Sequence, residues 1–465
     1  MLEPLIRANI PRLQPLYHRA PSPVRNFLTG ARGWFLARLR YAPETLAMLE
    51  TFRSHESWSA GDIAAYQLSH LQEIVEHVRA TVPFCADYPG GPIRSLEDLR
   101  RFPVLERETV RQSIDDLLSR EIPANSRIRA GTTGTTGANL KVAYTEALAR
   151  ANWAILLRQW QWAGIAPLEK RITLFGAQII PPARTAPPFW TRNAPERQIL
   201  MSIFHLSKGA APAYLGFLQS HRGVVLEGFP SVLAILADFI LERGEPIPMR
   251  VVFTSGEPLY PDTRAKIAAA FATRVFDSYG MTEYCGSIQE CGRGGMHLIP
   301  EFGFLEILNN RDKPAAPGEE GHFVWTGFLN RAMPLIRYRI GDRGAWQTDS
   351  PCPCGRAFPL VMPTITRESD TLRCPDGRIF SPRALNQLLK QSSSLRFCQF
   401  VHDRPERIIV RAVPGTGAPV EETAAIRDRL QALLGPAMHV IPEIATAPLA
   451  RPGGKVPLIV NQVQG

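Results

Sequence analysis

Three groups of residues could do chemistry. The first is the run "GTTGTTGANLKV", in which Gly131, Gly134 and Gly137 alternate with Thr132, Thr133, Thr135 and Thr136 and are followed by Lys141. Glycine lets the backbone approach a ligand closely. Exposed N–H groups and threonine hydroxyls can then surround an anion such as a triphosphate. The spacing is not that of a P-loop, because no Gly-Lys-Ser/Thr follows at the required position. The second group joins "FDSYGMTEY" (276–284) to "RYRIGD" (337–342), which supply Glu283 and Asp342. An ionised carboxylate suits a hard cation or a pair of sugar hydroxyls. The third is a set of soft ligands. Cys291 and His297 are separated by five residues, and Cys352 and Cys354 form a Cys-x-Cys. Three thiolates and an imidazole make a tetrahedral set for a closed, structural zinc, with Cys285 as a substitute for Cys291.

The remaining composition limits what the chain can be. Of 465 residues, 45% are hydrophobic and 21% charged, with 35 Gly and 41 Pro, which is globular and neither collagen-like nor low-complexity. No uncharged apolar run approaches the length of a membrane span. Arg7 and Arg12 interrupt the N-terminal apolar residues, so no secretory core is expected and the cytoplasm is the expected location. Seven cysteines, an odd number, do not read as a disulfide framework. The net charge is +10, and arginine dominates it: only 7 of 53 cations are lysine, spread without a dense tract. Nucleic-acid binding is not expected. The first 40 residues hold Arg7, Arg12, Arg19, Arg25, Arg32, Arg38 and Arg40 against Glu3. They read as a helical extension packed on the body that could also lie on an anionic membrane surface.

These groups need elements to position them. Residues 41–122 read as mainly helical, with Ser59 capping 60–80 and Ser95 capping a short helix stopped before Pro103. From 128 onward, short apolar runs at 171–176, 223–230, 250–257 and 274–283 alternate with helical stretches at 146–164, 209–221, 231–243 and 260–272. This alternation predicts a parallel α/β sheet. Residues 303–346 read as an antiparallel β unit. From about 367, two or three strands and two helices (382–390 and 420–434) make a small α+β domain. The fold class is α/β, divided into a basic extension (1–40), a large domain (41–366) and a small mobile domain (367–465).

The segments occur in a fixed order: the Gly/Thr loop, "YGMTE", "YRIGD" and "ARPGGK" (450–455). In that order they resemble the adenylate-forming superfamily, most closely its phenylacetate–CoA ligase branch and the ligases of that branch encoded in capsule and exopolysaccharide clusters. "PPFWTRN" (187–193), "SIFHLS" (202–207), "EGFPSVL" (227–233), "FTSGEPL" (253–259) and "CPCGRAFPLV" (352–361) carry the closer match. The resemblance implies activation of a carboxylic acid by MgATP to an acyl-adenylate, then transfer to CoA. The acceptor could instead be a carrier protein, an amine or a sugar hydroxyl. A non-catalytic nucleotide-binding scaffold is disfavoured by intact Glu283, Asp342 and Lys455.

The same resemblance implies roles. Thr132, Thr133, Gly134, Thr135, Thr136, Gly137 and Lys141 would cradle the β- and γ-phosphates. Thr282 would touch the α-phosphate, and Glu283 would hold Mg²⁺. Ser255, Gly256, Glu257, Asp277, Ser278, Tyr279 and Gly280 would line the nucleotide. Asp342 would hold the ribose, with Arg367 nearby. Lys455 would bridge the α-phosphate and the substrate carboxylate. Phe204, His205, Gly228, Phe229 and Pro230 would form the acyl pocket, which with Trp190 suits an aryl or mid-sized apolar acid. The metal-binding Cys/His set recurs in some members of the branch. Two departures stand out. Asn139 replaces the usual proline at the loop exit. The hinge, normally Gly-Arg-x-Asp-Asp, reads Thr366, Arg367, Glu368, Ser369 and Asp370, which bears on the transfer step more than on adenylation.

Overall fold

The computed structural model describes residues 16–131, 140–177, 179–181, 184–203, 205–347, 351–362, 366–367, 372–375, 379–380, 385, 387–389, 394–415, 417–450 and 456–463. Its first helices begin where local chemistry dictates. Helices α1 (Ser22–Arg40) and α2 (Pro43–Ser54) each carry proline in the first turn, where a missing N–H costs nothing. Helix α3 (Ala60–Thr81) starts at the expected Ser59, whose side chain accepts from Asp62 N while Asp62 accepts from Ser59 N. Ile63, Leu71, Ile74, Val75 and Val78 form its buried stripe. The segment after Ser95 coils as a 3₁₀ turn, Leu96–Arg101, and a short helix α4 (Arg107–Gln112) follows.

The four apolar runs are strands. They are β4 (Arg171–Leu174), β7 (Val225–Gly228), β8 (Val251–Ser255) and β9 (Val275–Gly280). With β6 (Gln198–Met201) they form five parallel strands in the order β9-β8-β7-β4-β6. Antiparallel strands finish both edges: β5 (Trp190–Asn193) beside β6, and β10 (Ser287–Glu290) then β11 (Met296–Leu298) beside β9. Strands β5 and β6 were not expected from the sequence. Helices α5 (Glu146–Trp162), α6 (Ala211–Gln219), α7 (Pro230–Glu242) and α8 (Pro261–Phe271) match the predicted stretches. One apolar cluster joins the sheet to α6–α8, and another joins it to α2 and α5.

The antiparallel unit is present as β12 (Gly303–Leu308), β13 (Gly321–Gly327) and β14 (Tyr338–Gly344). It gains a parallel edge from β1 (Leu105–Glu106) and a last rung from β15 (Thr366–Arg367), which pairs with β14. A hairpin of β2 (Ile128–Gly131) and β3 (Lys141–Tyr144) brackets the Gly/Thr loop.

Beyond β15 the chain is richer in strands than expected. The short pair β16 (Leu372–Arg373) and β17 (Ile379–Phe380) precedes a four-stranded sheet. That sheet has the order β20-β19-β18-β21, from His439–Ile444, Arg407–Pro414, Leu395–Arg404 and Ile459–Asn461. Helix α9 (Pro419–Leu434) covers it, as expected for 420–434. Of the helix expected at 382–390, the 3₁₀ turn Gln387–Leu389 is described. Leu372, Phe400, Ile408, Val410, Ile426, Leu430 and Ile459 gather in one apolar cluster with α9.

Candidate functional site

The carboxyl ends of β7, β8 and β9 lie side by side. In an open parallel sheet this edge is where ligands bind, because the loops leaving the strands can diverge there. Three of the predicted segments leave at this edge: Gly228, Phe229 and Pro230 after β7, Ser255, Gly256 and Glu257 after β8, and Ser278, Tyr279 and Gly280 ending β9. Glu257 accepts from the backbone N–H of Ser231, in the first turn of α7, where the helix dipole favours an anion. Gly280 is exposed and has open space where a side chain would be.

Strand β14 lies against the end of β9, and two reciprocal contacts join them. Tyr279 donates to Asp342 Oδ2 at 2.7 Å, from the β9 segment to β14. Tyr338 donates to Glu283 Oε1 at 3.1 Å, from β14 back to the segment after β9. Arg107, the first residue of α4, adds a 2.8 Å ion pair to Glu283 Oε1 and a 3.3 Å bond to Tyr338 Oη. Glu283 and Asp342 are each only 3% exposed, so both carboxylates are held in a fixed position. Burial and the adjacent Glu283 carboxylate push the Tyr338 phenol well above its ordinary range, which keeps it a hydrogen-bond donor. Neither Arg107 nor Tyr338 was singled out from sequence.

The mouth of the Gly/Thr loop is near. Lys141 is exposed and pairs with Gly131 across the hairpin. Leu140 and Val142 share an apolar cluster with Tyr338 and Cys285, and Tyr279 and Met281 pack against it. Thr282 is half-buried beside Glu283. Thr132, Thr133, Gly134, Thr135, Thr136, Gly137, Phe204 and Lys455 lie outside the described residues. Arg367 enters through its backbone, paired with Asp342.

Two expected contacts sit differently. The Asp277 carboxyl, 9% exposed, accepts from Thr254 Oγ1 at 2.7 Å and is turned into the sheet. Its backbone N–H donates to Glu290, itself paired with Arg264. Burial, with Glu290 close by, pushes Asp277 up to about 7. His205 has both ring nitrogens engaged, Nδ1 with Ser202 Oγ at 2.7 Å and Nε2 with the Pro181 carbonyl at 3.1 Å. Its ring stacks on Phe189. It therefore braces the wall after β6. Phe229 packs edge-on against Phe175, and the Trp190 ring lies tilted over Phe217.

The soft ligands do converge. One ligand atom from each of Cys291, His297, Cys352 and Cys354 lies within 4.8 Å of the others. Cys291 Sγ and Cys352 Sγ are 3.6 Å apart, and Cys354 Sγ lies 3.3 Å from His297 Nε2. Two sulfurs on a tetrahedral zinc sit about 3.8 Å apart for zinc–sulfur bonds near 2.3 Å. His297 Nδ1 donates to the Phe358 carbonyl at 3.0 Å, which fixes the tautomer and points Nε2 at the sulfurs. Cys285 is not part of the group and bonds back to the Glu283 carbonyl.

No protein-family model matches the chain. Protein CapK of Staphylococcus aureus is 21% identical over 462 residues, covering 97% of this chain and all of that protein. The phenylacetate-coenzyme A ligase of Thermus thermophilus is 25% identical over 325 residues, covering 67% of this chain and 71% of the relative. Among solved structures, 2-hydroxyisobutyryl-CoA ligase in its postadenylation state superposes with a TM-score of 0.67 at 20% identity, covering 88% of this chain and 91% of that one. The chain is thus similar in fold to 2-hydroxyisobutyryl-CoA ligase and similar in sequence to CapK and the phenylacetate-coenzyme A ligases.

Proposed function

We propose that the protein joins a carboxylic acid to CoA in two steps at this cleft, with ATP as the activating substrate. In the first, a carboxylate oxygen bonds to the α-phosphorus as the bond to the bridging oxygen breaks, and pyrophosphate leaves. In the second, the CoA sulfur bonds to the acyl carbon, the carbon–oxygen bond to AMP breaks, and the thiol proton passes to solvent. Negative charge builds around the α-phosphate in the first step, so preorganised donors and cations are what lower the barrier. The observation that carries this reading is the pair of crossed tyrosine–carboxylate bonds, which bring the two signature acids from different sheets to one strand edge.

Within that reading Asp342 holds the ribose hydroxyls and Glu283 holds Mg²⁺, which when bound offsets charge on the triphosphate. The donor chemistry fits: Glu283 is a buried carboxylate whose two bonds from Arg107 and Tyr338 both fall on Oε1. Lys141 and the threonines of the loop serve the outer phosphates, and Lys455 serves the α-phosphate. Cys291, His297, Cys352 and Cys354 hold a structural zinc. Adenylation gives such a metal no chemical task, and the site is closed by four protein ligands.

The altered hinge residues favour one second reading, transfer of the acyl group to a carrier protein, amine or sugar hydroxyl instead of CoA. ATP–pyrophosphate exchange over a panel of aryl, fatty and amino acids tests the first step, with Lys455→Ala as control. Exchange is expected with at least one acid and not with the control. Background exchange across the whole panel would overturn the reading. Mass spectrometry of the products with CoA present then separates acyl-CoA from acyl-AMP alone.

A further inference from the structure

Helix α1 is mounted with its sides reversed. A surface helix normally buries its apolar stripe and shows its polar one. Here the buried side is Arg25, Thr29, Gly33 and Leu36. Arg25 bonds within the turn before it, to the Ala20 carbonyl and Ser22 Oγ. Asn26 accepts from Thr191 Oγ1 and the Arg192 backbone N–H of β5. At Gly33 an added Cβ would lie 1.7 Å from Asn193 Oδ1, so the helix meets the strand too closely for any side chain there. Polar bonds and a close glycine contact thus fix its rotation.

The outer side carries the large apolar residues. Phe27 is 74% exposed, Trp34 46%, Val24 45% and Leu28 42%. Positions 24, 27, 28, 31 and 34 share one face of the helix, and Ala31 completes it. Arg32 and Arg38 are exposed on the same helix, and the Arg38 guanidinium lies 4.3 Å over the Trp34 ring. The sequence contains no Asp or Glu from residue 4 to residue 43. A contiguous apolar face of this kind marks an interaction site. Its companions are all cationic, so its complement is apolar beneath and anionic at the rim. That is the profile of an anionic bilayer surface, into which Trp and Phe insert at headgroup depth while arginine stays with the phosphates. We infer that α1 seats the protein on an anionic lipid surface through Val24, Phe27, Leu28 and Trp34, with Arg32 and Arg38 at the rim. The face lies on the outer side of the edge strand β5, away from Glu283 after β9 and Asp342 on β14, so this attachment is independent of the proposed chemistry.

The test is co-sedimentation of the full-length protein with vesicles of phosphatidylcholine alone or mixed with phosphatidylglycerol. Binding is expected to the mixed vesicles only and to fall steeply toward about 1 M salt, where screening reaches about 3 Å. Phe27→Ser with Trp34→Ser should weaken it by about tenfold or more. Arg32→Glu with Arg38→Glu should cost at least about fivefold per position. Far-ultraviolet dichroism and pyrophosphate exchange should match wild type in both variants, which separates lost attachment from lost fold. No sedimentation with phosphatidylglycerol vesicles at low salt overturns the inference, as does sedimentation that neither variant changes. If light scattering shows a dimer that Phe27→Ser with Trp34→Ser dissolves, the face belongs to a second copy of the chain and the lipid assignment is wrong.

Discussion

Tyr338 and Asp277 show how burial decides what a single side chain can do. The Tyr338 hydroxyl holds a carboxylate that must stay oriented, and hydrogen bonds to charged groups are worth about 1.5–3 kcal/mol. Tyr338→Phe leaves Arg107 on Glu283, so pyrophosphate exchange should fall about tenfold while the melting temperature shifts little. Asp277 is a case of linkage. Its acid is raised from 3.8 to about 7 in the folded chain, chiefly by burial. Between those values the native state keeps a proton that the unfolded state has lost. Stability from this group is therefore full below about pH 4 and declines as pH rises toward 7. Asp277→Asn should flatten that part of the curve, read as urea midpoints at pH 5 and pH 8 drawing closer together. A slope unchanged by the substitution would move the cause to another group.

Between elements, backbone proximity and the cysteine cluster set the geometry. At Gly303 on β12 an added Cβ would lie 2.2 Å from the Cys285 carbonyl oxygen and 2.7 Å from that of Thr326. Both obstacles are main chain, so neither can swing aside. Gly303→Ala should cost about 1–3 kcal/mol in denaturant midpoints, and it should lower exchange as well, because Cys285 follows Glu283 by two residues. The Cys/His cluster ties the turn after β10 and β11 to the 352–354 segment, 61 residues from Cys291 in sequence. The purified protein should carry one zinc by atomic spectrometry. Cys352→Ser and Cys354→Ser should lose it and melt several degrees lower. A chain that purifies free of metal with an unchanged melting curve would rule the site out.

Across the whole molecule, what the sequence revealed depended on whether the signal was local. Continuous apolar runs such as Val251–Ser255 announce buried parallel strands on their own. The Ser59–Asp62 capping box likewise lies within four residues. Strands β5 and β6 are harder to see, because "WTRN" and "QILM" are short and one is polar. The small sheet was underestimated for a similar reason: its strands β20 and β21 are edges with exposed polar positions. Arg107 was invisible because its partner lies 176 residues away, and nothing beside it hints at a carboxylate. Glu283 and Asp342 were legible only through ordered motifs, while the tyrosines that orient them emerge from the packing of two sheets. Among the described residues, no helix is long and apolar enough to cross a membrane.

The rung between β14 and β15 has a mechanical meaning. Thr366 and Arg367 pair with Arg343 and Asp342, so the strand bearing Asp342 also carries the point where the chain departs toward the four-stranded sheet. We propose that the rung serves as a fulcrum, with Asp342 paired across it. On the proposed reading, a pivot of the distal body about this point would act with its shortest lever arm, and hence its largest force, on the sugar of a bound nucleotide, while the proposed acyl end after β7 would feel little.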